Sequence, residues 1–158
     1  MNKKILIALG GLALIGTFFA KKMTNFVNKL SFSIKKAKVK LPYPYNNLSI
    51  TLTCELDNPT SQEIKLNSIF GTLKYQGKDI ASFYGNPMQV KSGKNKFDIE
   101  VGMTIQQLEN IMNTTFDLTS FATIYKQIIR TPLTTDITYN TELGTFRSVD
   151  DWKLQELI

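Results

Sequence analysis

Chemistry in this chain has to be sought without histidine, the commonest general base and the commonest metal ligand, because the sequence contains none. Few candidates remain. Asp98 and Glu100 lie two residues apart and Asp150 and Asp151 are adjacent. Either pair could hold a cation weakly, but carboxylates on the wet side of a strand are ordinarily solvated surface acids, and both pairs are read so here. The single cysteine, Cys54, excludes an internal disulfide. It falls in the alternation Leu48, Ile50, Leu52, Cys54, Leu56, which predicts a buried, inert thiol rather than a nucleophile. Phosphate-cradling glycines are missing too: Gly10-Gly11 sits inside a hydrophobic run, and Gly71 and Gly77 fall in a hairpin. The expectation is therefore a protein without catalytic, cofactor or metal residues, and not an enzyme. Pro42-Tyr43-Pro44-Tyr45 could offer aromatics to a partner, although loops more usually turn their tyrosines inward.

The net charge of +6 invites a nucleic-acid reading, but the charge is lopsided. Residues 1–40 hold nine lysines and no acid, whereas the remainder holds ten basic and thirteen acidic residues. The body is thus mildly acidic, and no nucleic-acid partner is expected. Lysines beside a hydrophobic helix are instead what anionic headgroups attract, at roughly 1 kcal/mol each. Ile5 to Ala20 is uncharged and fenced by Lys3-Lys4 and Lys21-Lys22. As a helix it would span about 24 Å, short of the ~30 Å hydrocarbon core by a margin that snorkelling lysines could cover. Phe18 stands at −3 of any cleavage after Ala20, which argues against a signal peptidase site, and no cysteine follows for lipid attachment. Met23, Phe26, Val27, Leu30 and Ile34 then recur at helical spacing. The predicted organisation is an anchor helix with a lysine-rich amphipathic extension over 1–35 and a β domain over 36–158. Residues 5–34 would meet membrane lipid or a hydrophobic partner. The lysines beyond the run favour a cytoplasmic domain, against which stands the common arrangement of an anchor that exports its domain.

The elements of the body follow from a change of period. Ala37, Val39 and Leu41 alternate with lysines until Pro42 and Pro44 end a first strand, and Leu48 to Leu56 makes a second. Asp57-Asn58-Pro59-Thr60 turns the chain. Ile64 and Leu66 then share a parity that Ile69, Leu73 and Tyr75 do not, so a bulge near Asn67-Ser68 is required to bring both sets into one core. Gln76-Gly77-Lys78 predicts a hairpin into Ile80 to Tyr84. Ser92-Gly93 would turn Met88-Val90 back onto Phe97 to Met103, continuing an antiparallel meander. Thr104 with Gln107 fits a capping box before Ile105, Leu108, Ile111 and Met112. A second helix is expected from about Thr119 to Arg130 on Phe121, Ile124, Tyr125 and Ile128, followed by a strand on Leu133 to Tyr139. The tail, with Val149, Trp152 and Leu157, suits a strand or a short helix.

From Leu48 to Met103 the chain resembles the group 2 late-embryogenesis-abundant proteins, also called the water stress and hypersensitive response (WHy) domain. The matching residues are Leu56-Asp57-Asn58-Pro59, then Ile64, Leu66, Ile69, Gly71, Leu73, Tyr75, Gly77, Ile80-Ala81 and Ser92-Gly93. The resemblance extends over roughly Ser31 to Asn140. It implies a mainly β protein, a fibronectin-like antiparallel β-sandwich with one or two short helices before the last strands, behind an N-terminal hydrophobic segment. It brings no catalytic residues. The expected function is a membrane-tethered binding or protective module with a protein partner. The alternative is a structural subunit, possible as a homo-oligomer, of a virion or membrane complex in which the N-terminal helix is embedded.

Overall fold

A computed structural model of the chain describes residues 29–117 and 119–158, so the expected anchor helix, Ile5 to about Leu30, lies outside the described residues except for its last two positions, which are not helical. Eight strands follow: β1 (Ser31–Lys40), β2 (Asn47–Asn58), β3 (Ile64–Tyr75), β4 (Lys78–Gly85), β5 (Met88–Val90), β6 (Gly93–Thr104), β7 (Pro132–Thr141) and β8 (Gly144–Lys153). Two short helices, α1 (Ile105–Met112) and α2 (Phe121–Arg130), fall between β6 and β7. The strands form two antiparallel sheets, one in the order β1-β2-β6 and one in the order β4-β3-β7-β8 with β5 also on β3. The molecule is a β-sandwich whose sheets bury one apolar face each against the other.

Strand β1 starts at Ser31, ahead of the expected start at Lys36. Leu30 and Ile34, four apart, satisfy a helical spacing, but with Phe32 between them they satisfy a strand equally well, and all three are buried. What hides the strand in the sequence is a register shift between Ile34 and Lys36: Ile34 pairs with Cys54 and Lys36 with Thr53. The extra residue, Lys35, lets Ile34 and Ala37 point into one core despite their opposite parity.

In β3 the register shifts between Leu66 and Ser68, at the place the phase slip required, and Ile64, Leu66, Ile69 and Leu73 are all buried. The turn before β3 carries the chain from one sheet to the other and is clamped by Asn58. This fully buried side chain donates to the Gln62 carbonyl at 2.7 Å and accepts from the Thr60 amide at 3.1 Å and its hydroxyl at 2.7 Å. Gly71 has no room for a side chain, since a Cβ there would lie 2.3 Å from the Phe83 ring. Ser92-Gly93 is not a hairpin. Strand β5 pairs with β3, whereas β6 pairs with β2, so this turn is a second crossing between sheets that places Ile99, Val101 and Met103 against the core from the far side.

The capping box forms as expected: the Gln107 amide donates to Thr104 Oγ1 at 3.1 Å and the Thr104 amide donates to Gln107 Oε1 at 2.9 Å. In α2, capped by Ser120, the apolar stripe divides. Ile124 and Ile128 enter the core, and Phe121 and Tyr125 stay at the rim. Helices and sheets enclose a gap of only about 10 Å³ between Leu48, Leu73, Leu108 and Ile128, room for about one water. The tail resolves as strand β8 and a 3-10 turn, Leu154–Glu156, with Trp152 and Leu154 buried and Val149 facing out.

Leu52 and Leu73 are almost wholly buried on opposing sheets. Leu52→Ala and Leu73→Ala are each expected to lower the unfolding free energy by about 2–5 kcal/mol, against ~0.5 kcal/mol or less for Thr51→Ala on the wet face of β2. Asn58→Ala, which strands the Thr60 amide and leaves the Gln62 carbonyl only the Thr60 hydroxyl, should cost about 1–3 kcal/mol. Urea denaturation of the four variants measures all of these.

Candidate functional site

The residues singled out for chemistry do not converge. Cys54 is buried in β2, where its thiol lies 3.7 Å from the Leu52 carbonyl, and burial pushes its pKa up to about 12. Asp98 accepts from Thr53 Oγ1 and Glu100 from Ser49 Oγ, each at 2.8 Å, on the outer face of the three-stranded sheet. The adjacent acids separate: Asp151 is exposed and accepts from Thr134 Oγ1, but Asp150 is buried, with Ser148 Oγ 3.3 Å away. Its reading as a surface acid is therefore corrected. The inward parity of β8 is that of Phe146, Ser148, Asp150 and Trp152, and it carries Asp150 in with them. Among the described residues no three His, Cys, Asp or Glu side chains are grouped to hold a metal ion.

An ionic cluster that the sequence reading missed lies on the outer face of the five-stranded sheet. Asp136 on β7 takes the Arg147 guanidinium of β8 through two hydrogen bonds and Lys74 of β3 at 3.2 Å, and Lys74 also reaches Asp79 at 3.4 Å. The Arg147 hydrogen bond, with Lys74 adding to it, holds the Asp136 carboxyl below its ordinary range against the opposing effect of burial. No local motif announces the cluster, because its members come from four strands and meet only through register.

The most distinctive surface is aromatic. Tyr43 and Tyr45 of the β1–β2 loop meet edge to face at 5.5 Å, Tyr45 lies 5.9 Å from Phe121, and Phe121 stacks on Tyr125 at 5.5 Å. Tyr45 is half-buried, as a loop tyrosine usually is, whereas Tyr43 is 84% exposed and Phe121 44%. Four rings thus run in a line across the loop and the first turns of α2. Apolar rings with wet edges are the equipment of a contact surface rather than of bond-making chemistry. Strand β1 fixes where this surface stands. It leads from Ser31, paired with Asp57 beside the Asn58 turn, to Lys40 beside the tyrosine loop. Ten residues at ~3.3 Å each put the aromatic line about 33 Å from the point where residue 30 enters the fold.

No family model and no curated protein matches the chain. Solved structures do. The solution structure of a candidate late embryogenesis abundant (LEA) protein superposes with a TM-score of 0.51 at 19% identity, over 89% of this chain and 81% of that one. The likeness is one of fold. A crystal structure of a protein from Archaeoglobus fulgidus gives a TM-score of 0.49 at 16% identity, over 78% of this chain and 97% of that chain. The exo-chitosanase CsxA of Amycolatopsis orientalis gives 0.45 at 8% identity, over 80% of this chain and 13% of that chain. The sandwich is thus LEA-like in architecture.

The buried thiol gives a pH test. Its ordinary pKa of 9.0 applies to the unfolded chain and about 12 to the folded one. Between these values the unfolded state binds fewer protons, so stability falls as pH rises through the window. Tyr139, also buried and likewise raised by desolvation, acts in the same direction. Denaturation at a series of pH values should show this fall, with a shallower slope in Cys54→Ala, and native protein at neutral pH should react only slowly with a thiol reagent. An unchanged slope, or rapid labelling, would contradict the buried setting of Cys54.

Proposed function

We propose that this chain is a non-enzymatic binding module, a fibronectin-like sandwich of the WHy kind, held at a membrane by its N-terminal hydrophobic segment with its aromatic end facing away. The observation that carries the reading is the polarity of the fold. The lysine-flanked run Ile5 to Ala20 precedes the entry of the chain at one end of β1, and the Tyr43-Tyr45-Phe121-Tyr125 line stands at the other. Such a tether leaves the ring surface as the part of the molecule most open to a protein partner. Further support comes from the LEA-like fold, and from the scattering of the candidate acids and thiol, which offers no constellation for a reaction. The charge asymmetry adds the lipid preference: Lys3, Lys4, Lys21, Lys22 and Lys29 precede β1, where anionic headgroups would meet them.

Among the described residues no helix is long and apolar enough to cross a membrane, so the attachment rests on residues 1–28. The test is flotation with anionic phospholipid vesicles. The full chain should float, and residues 29–158 should remain in the dense fraction. Cutting at 36 instead would remove Phe32 and Ile34 from the core and confound the comparison. Equal recovery of both proteins in the dense fraction would overturn the tether, and micromolar, salt-dependent binding of residues 29–158 to DNA or RNA would overturn the assigned class of partner.

A further inference from the structure

Part of the outer face of the three-stranded sheet carries charges that form no ion pair among the described residues. Register sets Lys36, Thr53 and Asp98 in one row across β1, β2 and β6, and Lys38, Thr51 and Glu100 in the next. In these rows lysines occupy one column, small hydroxyl side chains the middle and carboxylates the third; the next row towards Ser31, that of Ser33, Glu55 and Lys96, lies outside the pattern, and there Glu55 is paired with Lys35 and Lys94. The columns stand about 4.8 Å apart, with a hydroxyl column between the lysines and the acids of each row. Among the described residues none of Lys36, Lys38, Asp98 or Glu100 forms an ion pair, whereas Glu55, Asp79 and Asp136 all do.

The following row, Lys40, Ser49 and Gly102, adds a second observation. Gly102 lies inside β6, exposed, and a Cβ built on it would meet nothing within 4 Å. Neither crowding nor a left-handed backbone accounts for it. A bare strand residue on an open face is what close approach by another molecule requires.

We infer that this face docks a second copy of the chain. A two-fold axis running along β2, over Thr51, turns the pattern onto itself: Lys36 of each copy comes opposite Asp98 of the other, and Lys38 opposite Glu100. Every contact then occurs twice, as an isologous interface demands. The Ser/Thr column on the axis is short enough for two sheets to pack at about 10 Å. Gly102 leaves space for the stem of Lys40 from the opposite copy. Beside the lysine column lies a groove of about 490 Å³ bordered by Lys36, Lys38, Thr53, Glu156 and Leu157. Charges displayed on one face and paired only across the axis give an association that salt weakens.

Because a residue on the axis meets its own copy, the intact chain in detergent micelles, carrying Thr51→Cys, should be joined to a dimer by a short bis-maleimide. The buried Cys54 contributes little background, and Thr138→Cys on the outer face of the other sheet serves as control. Cross-linking should drop several-fold in 1 M salt, and equally when Lys38→Glu or Glu100→Lys is added alone, because each sets like charges opposite each other. It should return when both changes are combined in one chain or when the two single variants are mixed. Association through the N-terminal segment would be indifferent to these swaps. Cross-linking of Thr51→Cys no greater than that of the control, or swaps without effect, overturns the proposal.

Discussion

A β-strand has two faces and one parity, so a single misplaced residue turns every later side chain from core to water. The whole sandwich depends on how this chain manages that constraint. Three of its strands change parity midway and survive because a bulge absorbs the extra residue, at Lys35 in β1, at Asn67 in β3 and at Ile80 in β4. The bulges at Lys35 and Asn67 fall on polar side chains that the core has no use for, and the one at Ile80 turns an apolar residue inward. Pairing resumes beyond each with the apolar residues again inside. Three crossings between sheets, the turn clamped by Asn58, the one at Ser92-Gly93 and the helical stretch between β6 and β7, then set the two apolar faces against each other. The helices make the last of these crossings and cover the core with Ile124 and Ile128.

Much of this was legible because period-two alternation is a local signal. Strand β2, the β3–β4 hairpin, the bulge near Asn67 and the capping box at Thr104 all follow from residues within a few positions of one another. The failures share a physical cause. Leu30, Phe32 and Ile34 fit two periods, and only pairing with Cys54 and Leu56 decides for the strand. Asp150 and Asp151 cannot both face water on a strand, and which turns in depends on Trp152 and Phe146 anchoring the parity from either side. The destination of β6 and the Lys74-Asp136-Arg147 cluster depend on sheet order, which alternation does not encode.

The same distinction applies to surfaces. The sequence offered Pro42-Tyr43-Pro44-Tyr45 as one motif, but its effective neighbours are Phe121 and Tyr125, roughly eighty residues further along, delivered by a helix whose stripe divides between core and rim. The lysine column of β1 reads along the chain as the solvated side of a strand. Only beside β2 and β6 does it become one third of a repeating pattern.

A last consequence follows from one backbone hydrogen bond. The Ala37 amide, on the free edge of β1, donates to the Leu157 carbonyl at 3.0 Å. An uncovered edge strand is a template on which further strands can grow, the usual route to fibrils. Here the tail occupies the middle of that edge, the Lys35 bulge distorts it on one side, and lysines line its outer face. Growth by strand addition is thereby blocked on β1, so that a fibril could extend this sheet only from its other edge, β6.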